Sequence, residues 1–131
     1  MYSIKEFIVS RYHSFQHAYN GWWYVLRTQR NAWIHAAITT AVILLALWLR
    51  LPLFHWAVLF LTIALVWISE FINTALEAVV DLASPELHPL AKVGKDVGAA
   101  AVLLAAITSV LVGLLILGPP LLEKLKALLI R

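Results

Sequence analysis

The chain has no cysteine at all among its 131 residues. That excludes disulfides, thiolate metal sites and cysteine nucleophiles together. Charge is scarce too, at 13% of residues, while 63% are hydrophobic and the mean hydropathy is +0.87. An ordinary soluble domain does not carry that balance. The net charge of +3 is too small to argue for a nucleic-acid partner. No HExxH-like spacing is present, so His13, His17, His35 and His55 are individually uninformative and no zinc site is expected. Residues 1–30 lack a compact apolar core followed by small residues, so no cleavable signal is read there.

What is there is long apolar runs with polar residues gathered between them. The reading is one all-α integral membrane domain over residues 1–131. Residues 2–28 are too polar to span, yet Ile4, Phe7, Ile8, Phe15, Ala18, Tyr19 and Trp22 recur at helical spacing. This predicts an amphipathic helix lying at the membrane surface, with a bend allowed at Gly21. Arg27 and Arg30 would then meet lipid phosphates or a nucleotide. Three spans follow, over residues 32–50, 53–83 and 90–118. Arg50, Leu51 and Pro52 end the first, with Trp48 and Trp56 as an aromatic belt at that turn. Gly118, Pro119 and Pro120 are expected to stop the third span and leave residues 119–131 as an interfacial tail.

The chain is organised around residues 67–96. Four of its seven acidic side chains, Glu70, Glu77, Asp81 and Asp96, lie there against apolar segments. At about 100° per residue, positions 70, 73, 77 and 81 fall within an arc of roughly 80° on one helix face. Polar stripes of that kind in a membrane face a bundle interior or a wet cavity and mark function. The second span is also long, about 45 Å at 1.5 Å per residue, so its polar end reaches water. The third opens on Lys92, Lys95 and Asp96, then a small-residue seam of Gly94, Gly98, Ala101 and Ala105 that lets helices approach closely.

Topology comes from the basic residues. Lys5, Arg11, Arg27, Arg30, Lys92 and Lys95 share one side, against Arg50, Lys124, Lys126 and Arg131 on the other. The bias puts the polar stretch on the cytoplasmic side, where ATP is. A carboxylate stripe beside lysines at a helix start suits metal-assisted phosphoryl transfer. Glu70 or Glu77 can serve as base or Mg²⁺ ligand, and Lys92 and Lys95 can hold phosphates near a helix N-terminus. Asp96 can pair with Lys92 or orient Lys95. The alternatives at this point are an ion-paired bundle core, a proton-coupled transporter using the stripe, and a non-catalytic binding protein.

Three runs carry a resemblance: EFINTALEAVVD over 70–81, SPELHPLAK over 84–92 and KDVGAAAV over 95–102. They resemble the prokaryotic diacylglycerol kinase family, small membrane kinases of lipid alcohols, and the likeness extends from about Phe15 to Gly118. The runs HPLAK (88–92), Arg30-Asn31 and Ile34-His35 are more similar to its undecaprenol kinase branch. The resemblance implies a homotrimer in the bacterial inner membrane, with active sites shared between subunits. It implies ATP and Mg²⁺ as cofactors, and undecaprenol or, as the close alternative, diacylglycerol as acceptor. Residue by residue it implies Glu70 as general base, Asn73 beside it to position reacting groups, and Glu77 holding Mg²⁺ on ATP. Lys95 would bind phosphate with Asp96 in support, and Glu86, His88, Lys92 and Arg27 would lie around the nucleotide. One departure stands out. The family has a second metal-binding glutamate just before Arg-Asn, where this chain has Gln29. An amide oxygen can still ligate Mg²⁺ but brings no charge.

Overall fold

The computed structural model describes residues 3–86 and 88–130. The expected surface-helix start at Tyr2, Leu87 of the polar turn, and Arg131 of the tail lie outside the described residues. Four helices follow one another: α1 (Ile4–Thr28), α2 (Arg30–Leu49), α3 (Leu53–Ala83) and α4 (Pro89–Leu129). The last three are long and apolar enough to cross a membrane. The protein is therefore an all-helical, multi-pass membrane protein.

Helix α1 starts on a capping box. The Ser3 side chain accepts from the Lys5 N–H, and the Ser3 N–H donates to Glu6 Oε2 at 2.8 Å. It runs unbroken through Gly21, so the expected bend has no break in helical pairing behind it. Its C-terminal half is tied to α3 by aromatics. Trp22 packs on Trp67 at 5.0 Å and on Phe71 at 4.6 Å between ring centroids. A single extended residue, Gln29, separates α1 from α2.

The turn from α2 to α3 is a Schellman motif. Arg50 is left-handed (φ 56°), its N–H donates to Leu47 O, and the Leu51 N–H reaches back to Ala46 O. Leu51 then buries against Ala46, Leu59 and Leu117, closing the end of the bundle far from the polar turn. At mid-bundle, Ser109 Oγ donates to Thr62 O at 3.0 Å between α4 and α3, and Trp67 Nε1 donates to Thr39 Oγ1 at 3.4 Å between α3 and α2.

Helices α3 and α4 form the main packed pair. Gly98 sits directly on Asn73 and Leu76, so a Cβ there would collide with Asn73 Oδ1 and lie 3.1 Å from Leu76 Cδ2. Gly94, one turn earlier, is less crowded, with Val80 Cγ2 at 3.8 Å from a built Cβ. The Gly94–Gly98 part of the small-residue seam thus faces α3 of the same chain, while Ala101 is exposed.

One expectation is corrected. Helix α4 does not stop at Gly118-Pro119-Pro120 but continues through both prolines to Leu129, 41 residues in all. Residues 119–129 are therefore part of α4 and not a separate element. A proline forfeits its own N–H bond, but a full break next to lipid leaves several more backbone groups unpaired. The distal segment is also held: Lys124 Nζ donates to Trp48 O and lies 4.3 Å above the Trp48 ring.

Candidate active site

The polar stripe on α3 is helical throughout, but only its first part points into the bundle: Glu70 and Asn73 are buried, Glu77 is half-buried and Asp81 is exposed. Glu70 is only 1% exposed and Asn73 7%. One turn on, Asn73 Nδ2 donates to Glu77 Oε1 at 3.1 Å. Neither Glu70 oxygen has a hydrogen-bond partner, and Asn73 Oδ1 is also without one. Buried polar atoms cost free energy when left unpaired, so three in one place need a reason.

Two cavities lie nearby; Asn73 lines one of them, and Glu70 lines neither. A polar one of about 300 Å³ is lined by Gln29, Asn31, His35, Asn73 and Glu77, with Ala99 and Val102 of α4 behind. An apolar groove of about 420 Å³ runs from His35 along Val42, Val66 and Val110 to Leu121. Gln29 reaches the polar cavity because it interrupts the helices without capping α2, which leaves its side-chain amide free.

The structure therefore brings Asn73, Glu77 and Gln29 onto one small cavity, with Glu70 behind it, 3.8 Å from His35 of the same lining. It does not bring the rest of the predicted set there. Lys95 Nζ instead forms a two-pronged ion pair with Asp81, at 3.0 and 3.3 Å. Asp96 is exposed, and among the described residues it pairs with neither Lys92 nor Lys95. The expected support of Lys95 by Asp96 is thus replaced by Asp81. Adjacent helical residues point about 100° apart, whereas 81 and 95 face each other across the α3–α4 hairpin. Lys92 and Glu86 are exposed. His88 caps α4, its Nδ1 accepting from the Leu90 N–H at 3.2 Å. Arg27 stacks over Trp23 at 4.6 Å, on the surface.

His35 was not singled out by its spacing to any other polar residue, yet its Nε2 lies 3.8 Å from Glu70 Oε2. A signal existed. Ala32, His35, Thr39, Val42 and Ala46 repeat at three- and four-residue steps, and all are buried or half-buried. A lone histidine on a seam of small and apolar residues faces a neighbouring helix.

Among the described residues no group of three or more histidines or acids is arranged to hold a metal by itself. The donor set nonetheless suits Mg²⁺, which takes one or two protein oxygens and completes its shell with phosphates and water. Glu77 and Gln29 on one cavity supply that much.

A three-span bundle that buries an unpaired carboxylate beside a histidine lining both cavities has the form of a membrane enzyme. The comparison with known proteins makes this specific. The profile of the prokaryotic diacylglycerol kinase family matches residues 16–117, and the chain belongs to that family. It is 43% identical over 108 residues to the undecaprenol kinase of Bacillus subtilis, covering 82% of this chain and 88% of that one. It is 52% identical over 111 residues to the diacylglycerol kinase of Synechocystis, covering 84% of this chain but 63% of that one. The diacylglycerol kinase of Escherichia coli K12 is 39% identical over 90 residues, covering 63% of this chain and 73% of that one. The protein is a membrane lipid kinase with ATP as its phosphate donor.

Proposed function

We propose that the acceptor is undecaprenol, and that Glu70 is the general base for its phosphorylation to undecaprenyl phosphate. The observation that carries the reading is the Glu70 carboxylate: 1% exposed, without a hydrogen-bond partner, and 3.8 Å from His35, which lines both cavities. Its lone pairs are free to take the proton of a lipid hydroxyl as that oxygen attacks the γ-phosphorus. Asn73, fixed by its bond to Glu77, orients the reacting groups. Glu77 and Gln29 hold Mg²⁺, which when bound offsets the charge of the ATP phosphates. Lys95 leaves Asp81 to bind phosphate. Asp96 next to it, with Lys92, Glu86, His88 and Arg27, lies around the rest of the nucleotide. These residues ring the same end of the bundle, and several are exposed, as groups that meet a ligand or a neighbouring subunit would be.

The same proposal places the protein in the bacterial inner membrane as a homotrimer with shared active sites facing the cytoplasm. The basic residues of α1 and of the first turns of α4 support that orientation. Mixing Glu70→Gln with Glu77→Gln subunits tests sharing, since complementary sites restore activity only if drawn from two chains.

Undecaprenol is favoured by the match along 88% of the Bacillus protein. A second reading, diacylglycerol going to phosphatidic acid, is favoured by the higher identity to the Synechocystis kinase. Transfer of γ-labelled phosphate to each lipid, with and without Mg²⁺, separates them. Label entering undecaprenol preferentially supports the first reading, and label entering diacylglycerol preferentially replaces it. Loss of a general base costs about 10²–10⁴-fold in rate, so Glu70→Gln is expected to fall at least that far while remaining folded. Turnover surviving that change refutes the base assignment. A folded, ATP-binding protein that labels neither lipid would instead be a weak relative limited by Gln29.

A further inference from the structure

We propose that His35 binds the hydroxyl of the acceptor lipid, holding it against Glu70 at the seam where the two cavities meet. The inference rests on the reading of Glu70 as base and adds the residue that presents the substrate to it. Three residues border both cavities: Ile34, His35 and Ala106. His35 is the polar one. A lipid alcohol has to keep its chain in the apolar groove while its oxygen meets phosphates in the polar cavity. Its hydroxyl therefore belongs at this seam, beside His35.

The local geometry fits a bridging oxygen. His35 Nε2 and Glu70 Oε2 are 3.8 Å apart, beyond hydrogen-bond reach, and neither has another partner. A hydroxyl oxygen about 2.8 Å from each spans the gap, donating to the carboxylate and accepting from Nε2–H. The ring is steadied by its edge-on contact with Trp67, 6.3 Å between centroids, and Trp67 is itself bonded to Thr39. The imidazole thus approaches from α2 and the carboxylate from α3. In the reaction the hydroxyl proton passes to Glu70. The alcohol oxygen bonds to the γ-phosphorus, and the bond from that phosphorus to the β,γ-bridging oxygen breaks, releasing ADP. His35 exchanges no proton and directs the lone pair that attacks.

The test compares His35→Leu and His35→Gln in the full chain, with lipid mole fraction and ATP varied separately. Loss of one buried hydrogen bond to substrate is worth about a factor of ten or more. His35→Leu is expected to raise the KM for undecaprenol about ten-fold and to lower kcat, with the KM for ATP unchanged. His35→Gln, whose amide N–H₂ can replace Nε2–H, is expected to recover most of the loss. Glu70→Gln is expected to lower kcat and leave the lipid KM in place. A His35→Leu enzyme with normal lipid KM and kcat overturns the proposal while leaving Glu70 as base. A His35→Gln enzyme no better than His35→Leu, or a loss shared equally by the ATP KM, overturns it too, because the role is then structural. If Glu70→Gln keeps its turnover but the His35 split appears, the base assignment falls and acceptor binding by His35 stands.

Discussion

Replacing Gly98 with alanine probes the contact on which the polar site depends. The new Cβ collides with Asn73 Oδ1 and comes within 3.1 Å of Leu76 Cδ2. Asn73 is 7% exposed, so its side chain has little room to retreat. Overpacking of this kind costs about 1–3 kcal/mol. Pushing the amide away also breaks its bond to Glu77, and a hydrogen bond to a charged group is worth about 1.5–3 kcal/mol. Against this, alanine gains about 1 kcal/mol of helix propensity over glycine. The net expectation is a loss of about 2–4 kcal/mol, lowering the melting temperature by roughly 6–15 °C. Activity should suffer more than stability, because a shift of about 1 Å in a positioning group costs about 100-fold in rate. Gly94→Ala is the matched control. Its Cβ meets Val80 Cγ2 at an ordinary 3.8 Å, so that variant should be neutral or slightly stabilised and fully active. Thermal unfolding in detergent and ATP-dependent lipid phosphorylation measure both variants. A Gly98→Ala protein with normal rate and melting would refute the argument, as would a Gly94→Ala protein equally damaged.

Further expectations follow from other contacts. Gln29→Glu adds a carboxylate to the cavity that Glu77 lines, and should tighten the Mg²⁺ half-saturation of turnover about ten-fold, the equivalent of about 1.4 kcal/mol. An unchanged Mg²⁺ titration would remove Gln29 from the metal site. Arg50→Gly should relieve about 1 kcal/mol of left-handed strain at the α2–α3 turn and raise melting by a few degrees, whereas Arg50→Ala should not. Lys124→Ala loses the contact with Trp48 and should cost about 1 kcal/mol of stability without slowing phosphoryl transfer. A slower enzyme would mean that the far end of the bundle reports to the site.

Much of this was legible in one dimension. Apolar runs set the three spans, and the boundaries of α3 agree with expectation because Pro52 and the polar turn at 84–88 bracket it. The stripe at 70, 73, 77 and 81 was legible because helical periodicity puts those residues on one face, but not that the face emerges from the bundle by Asp81. Three further features were not. His35 lies 3.8 Å from Glu70 but on a different helix, and only packing brings them together. Lys95 chooses Asp81 over its sequence neighbour because the hairpin sets which side chains face each other. The double proline stops helices in water, where freed carbonyls are solvated, but α4 passes through it.

That uninterrupted α4 is long measured against a bilayer. At 1.5 Å per residue its 41 residues form a rod of about 60 Å, twice the hydrocarbon thickness of about 30 Å. A long rod answers a thinner membrane by tilting, at fractions of a kcal/mol per Å of mismatch. This rod is fastened at one end to Trp48 and at the other presses Gly98 onto Asn73. If tilt slides α4 along α3, the close contact of Gly98 with Asn73 is the one it loads. Turnover is therefore expected to differ between bilayers of short- and long-chain lipid, and equal rates in both would show that this contact does not feel the surroundings.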